Sequence, residues 1–281
     1  MPSPVAPQKR WPPQTADCSN ARMDHTAVLA LFDRQMRRRT TTPGAAGPLT
    51  ERSGRVVRQV GAGGDWSGVL WSDLTADTAD AEIAEQVRYF AGRGLAFEWK
   101  LYSHDAPRDL AGRLLAAGFR PEPEETLLVA ETSGLPAVPE LPDGVRLEAV
   151  TGPAGVELTM RVHDRAFGTD GTRLRQQLLA QLAQTPDTVL MTVAMAGDLP
   201  VCAARIEFTP GTDFAGLWGG GTHPEWRGRG IYRALVAHRA AVAARRGVRY
   251  LQVDASDDSR PILERLGFAA LATTTPYVYE P

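Results

Sequence analysis

The residues best suited to chemistry lie in one stretch, "GGGTHPEWRGRGIYRAL", from Gly219 to Leu235. Three glycines, a proline and an Arg-Gly-Arg-Gly step precede an apolar pattern of helical spacing, which predicts a helix that starts within the stretch. The first main-chain N–H groups of a helix have no partner inside it, and the helix dipole adds partial positive charge there. Gly228 and Gly230 would let an anion approach these groups, while Arg227 and Arg229 add charge. The stretch therefore predicts a binding site for an anion such as a diphosphate.

Two common phosphate-binding motifs are excluded here. No lysine follows the glycines as in a Walker loop, and "GRGIYR" lacks the third glycine of the dinucleotide fingerprint. Residues 219–221 end a predicted strand, where glycine usually marks a bulge or the close approach of another backbone or a ligand. A molecule with a diphosphate at one end and peptide-like amides at the other would use both features. A purely structural role of the glycines in a tight turn is the alternative.

The pattern "THPEWRGRGIYRAL", followed by "YLQVDA" and "ILERLGF", resembles the acetyl-CoA-binding core of the GCN5-related N-acetyltransferases (GNAT). The resemblance covers Val145 to Pro281 in element order, with one departure in the motif, since Tyr232 stands where a small residue is usual. It implies acetyl-CoA as cosubstrate. The cofactor-binding residues that it implies are Gly221, Thr222, Arg227, Gly228, Arg229, Gly230, Ile231, Tyr232, Ser256 and Ser259.

The same resemblance implies direct transfer of an acetyl group to a primary amine of a small molecule, with a main-chain N–H holding the oxyanion. The catalytic base and acid are not assigned, because "LWGGG" has no carboxylate and Leu263 stands where the family often has a tyrosine. Candidates are Glu207, Tyr277 and Tyr279, for which an ion pair or strand packing is the alternative role. A non-catalytic acyl-CoA-binding or interaction protein is therefore the alternative function.

The two halves of the chain share a pattern of strand, capping residue, proline, apolar helix, Gly-Phe and strand. Asp105 and Ser259 are predicted to cap these helices, and Gly118 and Gly267 to follow their ends in the left-handed conformation. Only the second half carries the Arg-Gly step, so the first half is predicted to be a degenerate copy in a tandem arrangement. The first-half residues that could border a cleft between the halves are Asp33, Arg37, Trp99 and His104.

The predicted fold class is α/β (α+β), with two GNAT-like domains, each a mixed, mostly antiparallel sheet flanked by helices. The boundaries expected from composition are a Pro-rich tail at 1–22, a degenerate domain at 23–132, a linker at 133–144 and an acetyl-CoA-binding domain at 145–281. Residues 40–54 are predicted to form a loop. Hairpin turns are predicted at "GAGGDW", Gly197-Asp198 and Pro210-Gly211.

Composition sets the remaining expectations. A net charge of -2 over 281 residues gives no basic field, so neither nucleic acid nor a membrane surface is expected as a partner. No long apolar run or signal-like start is present, which favours the cytoplasm. With only Cys18 and Cys202 and no zinc-type spacing, neither disulfides nor a metal is expected, and Cys202 is expected in the core. A monomer or homodimer fits these features equally well.

Overall fold

The computed structural model describes residues 23–41, 49–61 and 66–281. The predicted tail at 1–22, with Cys18, lies outside the described residues, as do the tip of the "GAGGDW" connection and part of the loop predicted at 40–54. None of the helices in the described ranges is both long enough and apolar enough to cross a lipid bilayer.

The first half begins with a helix whose start is fixed by a side chain. The Asp24 carboxylate accepts a hydrogen bond from the Ala27 N–H at 3.1 Å, and the helix continues as a π-helical turn over Asp33–Arg37. The apolar residues of "DHTAVLALFDRQMR" recur at helical spacing, which is consistent with this helix. The regular elements of this half are α1 His25–Phe32, β1 Leu49–Ser53, β2 Val56–Val60, β3 Gly68–Ser72, α2 Ala79–Ala91, β4 Phe97–Tyr102, α3 Leu110–Ala116, β5 Arg120–Pro121 and β6 Glu125–Glu131.

The second half contains an antiparallel meander. Its turns lie at Gly197 and Gly211, with φ of +58° and +76°, as their hairpin signals predict. The elements of this half are β7 Val145–Val150, α4 Pro153–Phe167, α5 Thr172–Gln184, β8 Val189–Ala196, β9 Leu199–Phe208, β10 Phe214–Thr222, α6 Ile231–Arg245, β11 Tyr250–Ala255, α7 Arg260–Arg265 and β12 Ala269–Tyr279. Short 3-10 turns at Thr132–Gly134, Pro186–Thr188 and Pro224–Trp226 join some of them.

One sheet runs through both halves. Its order over the described residues is β1-β2-β3-β4-β12-β6-β11-β10-β9-β8-β7, with β5 beside β12. The last strand of each half pairs with a strand of the other half, because β12 lies beside β4 and β6 lies beside β11. Only β3–β4 and β10–β11 are parallel among these pairs. The prediction of a mixed, mostly antiparallel sheet flanked by helices is confirmed in this single-sheet form, and the division into two domains stays a prediction.

The helices cover the sheet on both faces. Apolar side chains of α2, α3, α6 and α7 form the cores of one face. Those of α1, α4 and α5 pack on the other face, which we call the α1 face. Because alternate residues of a strand point to opposite faces, Trp99 lies in the core beneath α2 and α3 and Tyr102 lies beneath α1.

Three sequence predictions for the first half are wrong. Residues 49–53, predicted as a loop, form β1 because they pair with β2 over five residues. Asp105 does not cap α3, whose N-cap is Asp109, because the Asp105 carboxylate binds the guanidinium of Arg37 instead. Trp99 borders no cleft, because its indole is fully buried in the core.

The ends of the two short helices agree with the prediction. Gly118 and Gly267 follow α3 and α7 with φ of +95° and +105°, a conformation that favours glycine. Ser259 occupies the N-cap position of α7, although its hydroxyl donates to the Ser256 carbonyl at 3.2 Å and accepts no N–H.

Candidate functional site

The parallel strands β10 and β11 separate to form an opening in the sheet. They pair only where Phe214–Gly216 face Tyr250–Gln252. Beyond this point β10 continues along β9 and β11 continues along β6, so that each strand keeps its outer neighbour. No strand of the described chain pairs with the inner edges of residues 217–222 and 253–255. Main-chain groups on these edges can therefore bind an extended molecule with amide groups.

A β-bulge lies beside this opening. Gly219 and Gly220 of β10 together face the single residue Ala204 of β9, between the paired positions Trp218 and Gly221. Gly219 has a φ of +57°, which favours glycine. Such a bulge turns the main chain away from the regular ladder and is common beside functional sites.

Packing explains the other two glycines. A Cβ on Gly220 would lie 2.7 Å from Cε2 of Tyr232, and a Cβ on Gly221 would lie 2.8 Å from Cε2 of Phe167. Side chains therefore approach β10 from both faces, and a residue larger than glycine at either position must displace an aromatic ring. The sequence predicts a bulge or the close approach of another backbone or a ligand at these glycines, but it does not predict the contact with Phe167, which is distant in the chain.

The turn into α6 exposes a row of main-chain N–H groups. Gly228 and Gly230 have φ of +75° and +81°, and a Cβ on Gly228 would meet no atom within 4 Å. The Arg227 N–H donates to the Pro224 carbonyl, and the first hydrogen bond of α6 runs from the Ala234 N–H to the Gly230 carbonyl. Between them, the N–H groups of residues 228–233 have no acceptor in the described part of the chain. Free N–H groups at the positive end of a helix can hold an oxyanion.

The two arginines of this turn are held by carbonyl groups. Arg227 donates to the carbonyls of Thr222 and Ala166 at 3.3 and 3.1 Å. Arg229 donates to the Glu225 carbonyl at 3.1 Å, and its guanidinium lies 4.4 Å from the centre of the Trp226 ring. Both side chains are exposed, and neither forms an ion pair with a carboxylate of the described residues. Their charge is therefore available to an anion.

Tyr232 turns its ring inward, against Gly220, and burial raises the pKa of its hydroxyl. The main-chain N–H of Tyr232 remains among the free groups, so the departure from the family motif leaves this donor in place.

Cys202 lies on β9, where burial raises the pKa of its thiol to about 11 and Sγ lies 3.1 Å from the Thr222 hydroxyl. Cys202 is fully buried, which confirms its predicted place in the core.

The other sequence-predicted residues lie apart from the turn. Ser256 and Ser259 lie just beyond the end of β11, and Ser256 is exposed. Glu207 accepts a hydrogen bond from Arg205 at 2.7 Å on the α1 face, which is the ion pair of its alternative interpretation. Tyr277 and Tyr279 pack in the core of the first half, away from the opening.

The first half has a corresponding pair of strands, whose separation is closed by side chains. β3 and β4 pair only where Gly68 and Val69 face Glu98 and Trp99. Arg37 donates from Nε to the Leu70 carbonyl of β3 at 2.9 Å and from Nη2 to both Asp105 oxygens at 2.8 and 2.7 Å. Asp105 in turn accepts the Tyr102 N–H of β4 at 2.9 Å. The Arg37–Asp105 pair thus bridges the two diverging strands.

Two of the predicted cleft residues join this pair. Arg37 also donates to Asp33 at 2.9 Å, and His104 lies 3.0 Å from the same carboxylate. Although burial opposes it, contacts with His104 and Arg37 hold the pKa of Asp33 below its ordinary value. Asp33, Arg37 and His104 therefore do not border a cleft between the halves, because they bind one another in a partly buried cluster within the first half.

Comparison with known proteins assigns the fold. Residues 157–268 match the model of the Acetyltransferase (GNAT) family. A GCN5-related N-acetyltransferase from Kribbella flavida is similar over 93% of this chain and 97% of its own, with a TM-score of 0.64 and 19% identity. A functionally unknown conserved protein from Staphylococcus epidermidis is similar over 87% and 99%, with a TM-score of 0.65 and 16% identity.

A tandem GNAT protein from the clavulanic acid biosynthesis pathway is similar over 86% of this chain and 85% of its own, with a TM-score of 0.57 and 17% identity. No curated protein sequence gives a significant match. The chain therefore has the fold of the GCN5-related N-acetyltransferases, and residues 157–268 carry the sequence pattern of the acetyltransferase (GNAT) family.

Proposed function

We propose that the protein is an N-acetyltransferase that transfers the acetyl group of acetyl-CoA to a primary amine of a small molecule. The observation that carries this proposal is the row of N–H groups at residues 228–233 that have no acceptor among the described residues, beside two arginines that form no ion pair with a carboxylate in the same ranges. The opening between β10 and β11 lies next to this row. The match of residues 157–268 to the acetyltransferase family supports the same function.

The residues present fit the chemistry of coenzyme A. Residues 227–232 would hold the diphosphate through their main-chain N–H groups and the two arginines. The inner edges of β10 and β11, with Gly221 and Thr222 on β10 and with Ser256 and Ser259 just beyond the end of β11, would contact the amides of the pantetheine arm. Acetyl-CoA would supply a thioester, and an N–H of the β10 bulge would stabilise negative charge on its carbonyl oxygen.

A non-catalytic acyl-CoA-binding protein is the second candidate. The observation that favours it is Leu263, which is fully buried in the core at the position where the family often has an acidic tyrosine. The two candidates differ in turnover. Release of free thiol from acetyl-CoA, only when an amine is added, would exclude the second candidate.

Binding is tested by calorimetric titration with acetyl-CoA. Gly230→Asp places a carboxylate among the free N–H groups, and we expect it to weaken binding at least about 100-fold, or about 2.7 kcal/mol. Gly247→Asp is the matched control, because Gly247 follows the other end of α6 with a similar φ of +74°. The control should bind as the wild type does. A wild type that binds no acyl-CoA, or equal losses in both variants, would refute the proposal.

A further inference from the structure

Charged side chains from both halves gather on the α1 face. Lys100 of β4 places Nζ 2.7 Å from Oδ2 of Asp254 on β11 and 4.0 Å from Oε2 of Glu125 on β6. Glu98, two residues before Lys100, accepts a hydrogen bond from Trp66 Nε1 at 2.8 Å. We call Glu98, Lys100, Glu125 and Asp254 the acidic cluster. Sequence reasoning missed it because its members come from three strands that are distant in the chain.

Three buried oxygen atoms on this face have no hydrogen-bond partner among the described residues: Asp254 Oδ1, Gln252 Oε1 and Thr274 Oγ1. Gln252 and Thr274 are 5% and 1% exposed, and the Asp254 side chain is 5% exposed. The register of the strands places Thr274 opposite Glu125 and Gln252 two residues before Asp254. A buried acceptor without a donor costs about 1–3 kcal/mol. These atoms are therefore suited to a ligand with several N–H donors.

A further cation beside the acidic cluster would stabilise the charged forms of its carboxyl groups, which burial disfavours. Three carboxylates accompany the single ammonium group of Lys100. Burial raises the pKa of Glu98 and raises that of Glu125 to about 7, although Lys100 opposes both shifts. In the described ranges no three His, Cys, Asp or Glu side chains converge as a metal site. An organic ammonium group therefore suits this cluster better than a metal ion.

The acidic cluster borders the opening described above. Gln252 is the last residue of β11 that pairs with β10, and Asp254 lies two residues further along the separated edge. Gly216 faces Gln252 across the strands, and a Cβ there would lie 2.5 Å from Trp218 Nε1 and 2.9 Å from Gln252 Nε2. The indole and the amide thus lie together over a glycine, between the β10 bulge and Asp254.

We propose that this region is the acceptor subsite, in which Asp254 and Gln252 bind the ammonium group of the substrate and Glu125 accepts its proton. The inference rests on the proposed function and specifies the acceptor as an alkyl amine that is cationic at neutral pH. The Glu125 side chain is 33% exposed, so it can return the proton to water. Neither half of the chain forms the subsite alone.

The proposed step is balanced in protons and bonds. The ammonium group gives one proton to Glu125, and the freed electron pair of the nitrogen forms a C–N bond with the thioester carbonyl carbon. The C–S bond breaks, and the thiolate takes up the second proton of the nitrogen. Glu125 then releases its proton to solvent.

The pH dependence of this step depends on the groups around Glu125. Lys100 and Glu98 face it from β4, Asp254 faces it from β11, and Glu122 precedes it in the chain. The raised pKa keeps Glu125 partly protonated near neutral pH. We therefore expect acetyl transfer to fall as the pH drops through about 7.

Glu125→Gln tests the base. We expect acetyl transfer to n-butylamine and ethanolamine to fall about 100-fold and the acidic limb of the pH–rate profile to disappear. Glu131→Gln is the matched control, because Glu131 ends the same strand and pairs with the exposed Arg249. A Glu125→Gln variant with the rate and pH profile of the control would overturn the assignment of the base.

Gln252→Leu tests the binding site without changing its charge. Asp254→Asn is less suitable, because it would leave Lys100 buried without its carboxylate. We expect Gln252→Leu to weaken the binding of n-butylamine to protein saturated with coenzyme A about tenfold, measured by calorimetry, with acetyl-CoA affinity unchanged. N-butylacetamide, which carries no charge, should not compete. No change in amine binding would overturn the subsite.

The two proposals fail in different ways. A wild type that does not bind acetyl-CoA refutes the proposed function. A wild type that binds acetyl-CoA and acetylates an amine, with unchanged Glu125→Gln and Gln252→Leu variants, refutes only the subsite. Binding of acetyl-CoA with no binding of either amine also refutes the subsite.

Discussion

The same sheet contains two pairs of parallel strands that separate, and the exposed edges of the two pairs have different hydrogen-bond partners. Between β3 and β4, Arg37 and Asp105 bind the Leu70 carbonyl of one strand and the Tyr102 N–H of the other. Between β10 and β11, no strand or ion pair of the described chain bridges the edges. The first pair is therefore closed by the protein itself, and the second remains open to a ligand.

The β-bulges beside the two pairs of strands also differ: one contributes to closing its opening, and the other leads to the free N–H groups. In the first half the extra residue is Leu70, whose carbonyl binds Arg37. In the second half the bulge contains Gly219 and Gly220 and leads to the turn at residues 227–230. This comparison indicates that the two strand openings have separate roles: acetyl-CoA binding is proposed for the one between β10 and β11, and the Arg37–Asp105 pair closes the one between β3 and β4.

The largest change in stability is expected where Arg37 and Asp105 close the opening between β3 and β4. Arg37→Ala leaves the buried Asp105 without its cation, so we expect a loss of about 3–5 kcal/mol in the free energy of unfolding, measured with urea. Arg88→Ala is the control, because Arg88 and Glu85 form an exposed pair and should contribute about 0–1 kcal/mol. Equal losses in the two variants would show that the Arg37 bridge has no special structural role.

A smaller effect is expected at the bulge of the open pair. Gly220→Ala puts a methyl group against the Tyr232 ring, and we expect destabilisation of about 1–3 kcal/mol, measured by urea unfolding. Gly112→Ala, in α3, meets no atom within 4 Å and should be neutral or slightly stabilising. In a Tyr232→Leu background, Gly220→Ala should lower the free energy of unfolding by less than it does in the wild type. An equal loss in both backgrounds would show that contact with the Tyr232 ring does not explain why residue 220 is glycine.

The smallest effect is expected where the two halves meet. Burial raises the pKa of Glu125 from 4.5 to about 7, so the folded protein binds this proton more tightly than the unfolded chain. The favourable contribution is complete below about pH 4.5 and is lost as the pH rises through about 7. Relative to the wild type, Glu125→Gln should therefore gain about 1 kcal/mol of unfolding free energy between about pH 5 and about pH 8. If the difference in unfolding free energy between Glu125→Gln and the wild type does not change across this pH range, the raised pKa of Glu125 is contradicted.

Local patterns were sufficient to predict much of the fold. The bounds of β6, the start of α6 and the left-handed glycines at 118 and 267 follow from apolar periodicity and from helix-end chemistry. Arg245 in the last turn of α6 and Gly247 after it are likewise typical of the C-terminal end of a helix. These features depend on residues that are neighbours in the chain.

Features that depend on distant residues were not predictable in this way. The exchange of β6 and β12 between the halves is set by pairing across more than one hundred residues, which no local pattern contains. Asp105 has the sequence context of a helix cap, but Arg37 supplies a stronger, charged partner. The alternation of charged and aromatic residues in "FEWKLY" was the one local signal of the acidic cluster.

The number of acetyl-CoA molecules bound per chain tests the comparison most directly. Titration calorimetry of the wild type should give one site, which Gly230→Asp removes and Gly247→Asp retains. No site in the wild type would contradict the account, because the free N–H groups at residues 228–233 would then not bind acetyl-CoA. Two sites would also contradict it, because the opening bridged by Arg37 would then bind a ligand as well.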